Sequence, residues 1–217
     1  VLPVPQGVDL VDAAGLCETY FTVWSNVFFG HQIPEGGNFL VHGGAGGIGS
    51  TAIQLGAAKG LRVLTTVEAR DKDFVLGLGA TTAIDFREED FVELTRAAGG
   101  ADIVLDIIGG PYVARNIKAC RHDGRMIQLA FNGGSKVEID LMPVMLKRLS
   151  YTGATLRSRP ESFKSAVAAD LALQVWPLFA NGKLKAVTHT VLPLEQAAQA
   201  HVLMESAGQQ GKILLQM

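Results

Sequence analysis

Only two cysteines, Cys17 and Cys120, occur in the 217 residues of this chain. They stand far apart, with neither a Cys-x-x-Cys pair nor Cys/His ligand spacing around them. That argues against a disulfide framework and a structural zinc site, and fits a reducing, cytoplasmic setting. A basic surplus is also missing. With 19 Lys and Arg against 21 Asp and Glu the net charge is -2 and the pI near 6.2, so nucleic acid is a poor partner. No apolar stretch approaches the roughly 18 uninterrupted residues of a membrane span, and no charged segment leads into an apolar signal core. The expectation is therefore no membrane partner. An initiating methionine is absent too: the chain starts at Val1, which suggests a piece cut from something longer. What is present, 48% apolar and 18% charged residues, is enough to bury one sizeable core and part of a second.

The most informative stretch is Leu40-Val41-His42-Gly43-Gly44-Ala45-Gly46-Gly47-Ile48-Gly49, an apolar strand that ends in closely spaced glycines and opens into a helical segment. Gly44, Gly46 and Gly49 fit G-x-G-x-x-G. The first permits the tight turn, the second lets backbone approach a pyrophosphate, and the third lets helix pack on strand. The helix that follows, about 48–59, aims its unpaired N–H groups and positive dipole end at the same point. Glu68 lies 19 positions after Gly49 at the end of the next strand. That is close to the roughly 20 expected for a ribose-binding carboxylate. The pattern reads as a dinucleotide phosphate cradle.

From Asn38 onward, short β-branched runs alternate with amphipathic segments. Strands are expected near 39–43, 62–67, 82–86, 102–107, 125–130 and 149–155, with helices between them. Gly60, Gly79, Gly99, Gly100 and Gly124 punctuate the helix ends. The fold class is α/β, a doubly wound, parallel, six-stranded Rossmann sheet. Residues 1–30 read as two linker helices leading into a nucleotide domain at 31–182. A capped helix spans 161–181. Beyond it, a strand near 186–191, a helix at 194–206 and a strand at 212–216 exceed the Rossmann count. Residues 183–217 are therefore expected to belong to a second domain.

Glu18-Thr19-Tyr20-Phe21-Thr22-Val23-Trp24, the loop His42 to Gly49, Ile84-Asp85-Phe86-Arg87-Glu88-Glu89-Asp90, Asp102 to Gly110, Gly124-Arg125 and Gly211-Lys212-Ile213 share an order and spacing. In these the chain resembles the medium-chain dehydrogenase/reductase superfamily, and within it the zinc-free quinone oxidoreductase branch. The resemblance implies that 183–217 is the C-terminal remnant of a GroES-like β domain whose N-terminal part is missing from this sequence. It implies hydride transfer from a nicotinamide to a quinone or similar conjugated carbonyl, chemistry that belongs mainly to the cofactor. By position it places Thr22 near the nicotinamide, Ala45, Gly46, Gly47 and Ile48 at the pyrophosphate, and Lys72 at the adenine ribose or its 2′-phosphate. Phe86 falls beside the adenine, Gly109 follows the fourth strand, and Phe131-Asn132 and Thr155-Leu156 close over the nicotinamide. Subunit pairing through an edge of the nucleotide domain, giving a homodimer, is also implied. Cys17 stands where zinc-containing cousins place a ligand, but its partners are lacking and no metal is expected. No catalytic acid or base is nominated.

Cofactor choice is pulled two ways. Relatives preferring NADP(H) carry a small residue where this chain has Glu68 and Ala69, and a carboxylate there repels a 2′-phosphate, leaving NAD(H) possible. Arg70 and Lys72 can pair with phosphate. On balance NADP(H) is expected. His42 is read as packing, and Trp24, Phe28 and Phe29 as core aromatics. Glu88, Glu89 and Asp90 read as a helix cap, and Arg157-Ser158-Arg159 as either surface charge or an aid to an anionic cofactor. Two alternatives stand beside the quinone reductase: an enoyl or alkenal reductase of the same superfamily, and a non-catalytic NAD(P)H-binding module. A short-chain dehydrogenase fails, because Tyr20, Tyr112 and Tyr151 are followed four places on by Trp24, Asn116 and Thr155 rather than by lysine.

Overall fold

In the computed structural model, which describes residues 2–206 and 208–217, the chain opens with two short helices, α1 (Leu10–Ala13) and α2 (Leu16–Val23). The second continues as a π-helical segment, Trp24–Phe28. Strands and helices then alternate: β1 (Asn38–His42), α3 (Gly47–Ala58), β2 (Arg62–Val67), α4 (Lys72–Gly77), β3 (Thr82–Asp85), α5 (Phe91–Ala97), β4 (Ala101–Asp106), α6 (Pro111–Ala119), β5 (Cys120–Gln128), α7 (Met142–Leu146) and β6 (Ser150–Gly153). The chain closes with α8 (Glu161–Gln174), α9 (Trp176–Ala180), β7 (Thr188–Pro193), α10 (Ala197–Glu205) and β8 (Lys212–Gln216).

The first six strands form one parallel sheet in the order β3-β2-β1-β4-β5-β6, the doubly wound arrangement expected from the sequence. All five residues of β1 are buried, because helices cover both faces. Alternation along the strand divides them. Phe39 and Val41 join a cluster with Val23, Trp24, Ile53, Val167 and Leu171 from α2, the π segment, α3 and α8. Leu40 points the other way, into a cluster with Phe91, Val92, Val113 and Ile117 from α5 and α6. The aromatics therefore pack: Trp24 stacks on Phe28 at 5.1 Å, and Phe28 meets Phe39 edge-on at 6.5 Å.

Three expectations shift. The single helix expected over 161–181 is two, because Pro177 lacks an N–H and its ring crowds the preceding turn; α8 ends at Gln174 and α9 begins at Trp176. The break lets the Trp176 indole N–H donate to the Pro3 carbonyl at 2.8 Å. Strand β5 begins at Cys120 rather than near residue 125, so Gly124 lies inside a strand. A β-carbon there would come within 3.0 Å of the Ala101 carbonyl oxygen, so close backbone approach, not a helix end, accounts for the glycine. In the acidic run, Asp90 alone caps α5, accepting from the N–H groups of Val92 and Glu93, while Glu89 is drawn away to Lys72.

Strands β7 and β8 form a separate parallel pair. That pair is stitched to the rest of the fold at the glycine turn, where Gly211 N–H donates to the Ala45 carbonyl at 2.8 Å and Gly46 bridges Gly211. A second stitch joins Lys185 N–H to Gln54 Oε1 at 2.8 Å.

Beneath the sheet's carboxyl edge runs a buried polar chain. Asn116 Nδ2 donates to Asp106 Oδ2 at 2.9 Å, which leaves Asn116 Oδ1 to accept from His42 Nε2 at 2.8 Å. His42 Nδ1 lies 3.0 Å from the Thr66 hydroxyl. Phe91 and Tyr112 meet the imidazole edge-on, each at 4.8 Å. Burial holds the His42 pKa below its ordinary 6.5, against the opposing pull of Asp106 and Asn116. The unfolded chain therefore takes up a proton as pH falls through 6.5 while the native one does not. This contribution to stability is complete above pH 6.5 and declines by up to about 1.4 kcal/mol per pH unit until the buried ring itself titrates. Urea unfolding of wild type and His42→Phe between pH 7.5 and 5.5 checks this: the variant should lose distinctly less stability on acidification, and equal losses would refute it.

Candidate nucleotide site at the carboxyl edge of the sheet

The turn from β1 into α3 is built almost wholly from backbone. Gly43 sits at φ +74°, and the N–H groups of Gly43 and Gly44 both donate to the Thr66 carbonyl at 3.1 Å. A β-carbon on Gly44 would run into the Thr65 hydroxyl and lie 3.1 Å from Ile53 Cδ1. One on Gly49 would collide with the Gly43 carbonyl oxygen and lie 2.6 Å from Gly44 Cα. These two glycines serve the protein's own packing. Gly46 differs: its only neighbour there would be the Gly43 carbonyl oxygen at 3.7 Å, an ordinary contact. Nothing inside the fold demands its missing side chain, whereas a ligand pressed on the turn would. Gly46 is also the N-cap of α3 and offers no side chain to its first turn, so the free N–H groups at that end are left for another acceptor.

The other sequence-predicted residues are distributed along the same edge. Ala45, Gly46, Gly47 and Ile48 are partly exposed at the turn. Glu68 follows β2 and accepts from Arg70 at 2.7 Å and Arg87 at 2.6 Å. Phe86 follows β3, exposed, with the Arg87 guanidinium 5.8 Å above its ring. Lys72 opens α4 and turns to Glu89, whose other bond is from Asp85 N–H. Gly109 follows β4 at φ +67°, and a β-carbon there would lie 2.6 Å from Phe131. Asn132, after β5, donates its N–H to the Ile107 carbonyl at 3.2 Å. The structure thus joins Gly109 with Phe131-Asn132, and Glu68 with Phe86 through Arg87.

Thr155 and Leu156, beyond β6, line a recess of about 620 Å³ with Asn26, His31, Arg159 and Phe163. Thr22 stands one helical turn before it, its carbonyl accepting from Asn26 Nδ2 at 2.8 Å. Arg159 lies 3.8 Å over the Phe163 ring, so its charge borders this recess, while Arg157 is exposed.

Sequence reading missed what the last strand brings to the turn. Lys212 extends along Gly47, where a β-carbon would be 2.6 Å from its Cδ, and its ammonium reaches Glu18 at 3.2 Å. Gln210 donates to Asp71 Oδ1 at 2.8 Å. Lys212 stands in the closing Gly211-Lys212-Ile213 motif, but nothing local names its partner or that of Gln210, since both partners lie over 130 positions away. Metal ligation finds no support in the geometry. Cys17 is exposed, not the buried small hydrophobe a lone cysteine usually is, and among the described residues no three His, Cys, Asp or Glu side chains converge. The residues present do not fit a zinc ion. Among the described residues no helix is long and apolar enough to cross a membrane.

Comparison with known proteins bears on the same features. A family profile described as zinc-binding dehydrogenase matches residues 78–215. The quinone oxidoreductase of Rattus norvegicus is 29% identical over 98% of this chain, which spans 64% of the rat protein. Among solved structures, an NAD-dependent alcohol dehydrogenase aligns with TM-score 0.85 at 29% identity, covering 99% of this chain and 61% of the other. Escherichia coli quinone oxidoreductase complexed with NADPH aligns with TM-score 0.84 at 26% identity, over 98% of this chain and 67% of that one. The glycine turn, the sheet order and the profile match together make this chain a member of the zinc-binding dehydrogenase family, in the quinone oxidoreductase branch of the medium-chain dehydrogenase/reductase superfamily.

Proposed function

We propose that this chain holds the diphosphate of NADPH on the Gly44–Ile48 turn and belongs to an oxidoreductase that reduces a quinone or similar conjugated carbonyl. The nicotinamide, when bound, supplies the hydride. The residues of this chain bind and orient it: Thr22, Gly109, Phe131-Asn132 and Thr155-Leu156 toward the ring, Glu68, Lys72 and Phe86 toward the adenosine end. Lys212, beside Gly47, adds a cation at the diphosphate. The observation that carries the reading is the unfilled space at Gly46 between two glycines that packing does require. In the same reading residues 1–30 lead into a nucleotide domain at 31–182, and 183–217 are the returning segment of a second domain, consistent with the separate β7-β8 pair.

The preference for the phosphorylated cofactor rests on the arginines that mask Glu68. Its carboxylate is shared by two arginines that are 57% and 65% exposed. Such exposed pairs hold by only about 0–1 kcal/mol each, so either guanidinium can turn to a 2′-phosphate at little cost.

The partner is a second copy of this chain. Strand β6 ends the sheet with every residue exposed, and just before it α7 shows Met142, Met145 and Leu146 at 61%, 68% and 59% exposure. An open edge beside an apolar helix invites cover.

Three outcomes are expected. In fluorescence titration Gly46→Val keeps the fold but weakens NADPH binding about tenfold or more, whereas Gly49→Ala loses about 3 kcal/mol or more of stability through backbone collision. Equal affinity in wild type and Gly46→Val would remove the phosphate site. Wild type binds NADPH more tightly than NADH, and Arg70→Ala/Arg87→Ala narrows that difference; an unchanged ratio would clear the arginines of the role. Light scattering gives a dimer for wild type and a monomer for Met145→Glu/Leu146→Glu, and a monomeric wild type ends the pairing proposal.

A further inference from the structure

We propose that the recess at the amino edge of the sheet, between the carboxyl ends of α5 and α6, binds a small oligophosphate anion. It lies at the opposite end of the strands from the glycine turn. Its volume is about 470 Å³, and Arg96, Lys118, Arg121, His122 and Lys147 line it together with Gly99, Gly100, Cys120 and Pro143. No carboxylate is among these lining residues. The two acids close by are already paired, Asp102 with Arg121 at 3.1 Å and Asp123 with Arg148 at 2.6 Å. A chain of net charge -2 has thus gathered five of its cation-forming side chains around one hollow.

Cations near helix carboxyl ends are ordinarily explained as partners for the last carbonyls and the negative dipole end. Here that work is done without most of them. Lys147 alone serves α6, donating to the carbonyls of Ile117, Lys118 and Cys120 at 2.9, 3.0 and 2.7 Å. The end of α5 is closed by backbone, with Gly99 N–H on the Arg96 carbonyl at 3.0 Å and Gly100 N–H on that of Thr95 at 2.8 Å. The Arg96 and Lys118 side chains are therefore surplus to capping; both are exposed and have no ionic partner among the described residues. Burial pulls the Lys147 pKa down; Cys120 opposes this and the charge of Arg96 adds to it, so Lys147 and Arg96 feel one another. Burial pushes the Cys120 thiol up to about 12, which leaves a neutral wall and no competing thiolate.

Mutual repulsion of this kind is relieved by an anion. Arginine forks and lysine ammonium groups together match phosphate oxygens. The volume falls in the small-ligand range and exceeds what a single phosphate fills, which points to two or more linked phosphates.

The test is calorimetric titration of the full chain with inorganic tripolyphosphate at fixed ionic strength, with amide chemical shifts followed in parallel. Wild type should bind, with shifts at Gly99, Gly100 and His122. Arg96→Gln/Lys118→Gln, both at exposed positions, should weaken binding about tenfold or more, while Gly46→Val changes it by less than about twofold. Absence of binding at millimolar tripolyphosphate overturns the proposal. So does binding unaffected by the double variant, or binding lost instead with Gly46→Val, which would assign the anion to the glycine turn.

Discussion

Everything at the carboxyl edge depends on how closely α3 approaches the end of β1. Gly49 lies so near the Gly43 carbonyl and the Gly44 α-carbon that no side chain fits. That contact is backbone against backbone, and it fixes the direction in which the first turn of the helix points. Gly46 then stands at the mouth of the helix, without a neighbour to justify its bareness. The distinction between glycines needed for packing and one needed for something outside the fold is the main reason to place a diphosphate there.

The same turn is also a joint. Gly211 donates to Ala45, Gly46 bridges Gly211, and Lys212 lies along Gly47. The β7-β8 pair is thereby attached to the element that would hold a cofactor. In the proposed reading, occupancy of the turn and the placing of the second domain are physically adjacent events.

Charge is arranged differently at the two edges of the sheet. Beyond β2 and β3, at the carboxyl edge, the cations are matched: Lys72 with Glu89, and Arg70 and Arg87 with Glu68. The two arginines are exposed, and pairs of this kind exchange readily. At the amino edge Arg96 and Lys118 are left unmatched around a hollow. Beneath the sheet, the chain from Asp106 through Asn116 and His42 to Thr66 is closed on itself, with each partner supplied by the protein. It braces β1, β2, β4 and α6 and leaves nothing for a ligand.

Much of this was legible in the residues alone. Short β-branched runs, amphipathic segments between them and the glycine spacing after β1 foretold the six-stranded α/β sheet and its turn, because residue patterning and backbone freedom are local properties. Even the misplaced boundaries had local causes that carried weight only in three dimensions. Pro177 divides α8 from α9, and Gly124 yields to the Ala101 carbonyl on a neighbouring strand. Side-chain partnership was not legible. Lys72 chose Glu89, His42 found Asn116 74 positions away, and Lys212 reached the turn from the far end of the chain. Such choices depend on which groups the folded backbone brings within a few ångströms, and sequence distance carries no record of that.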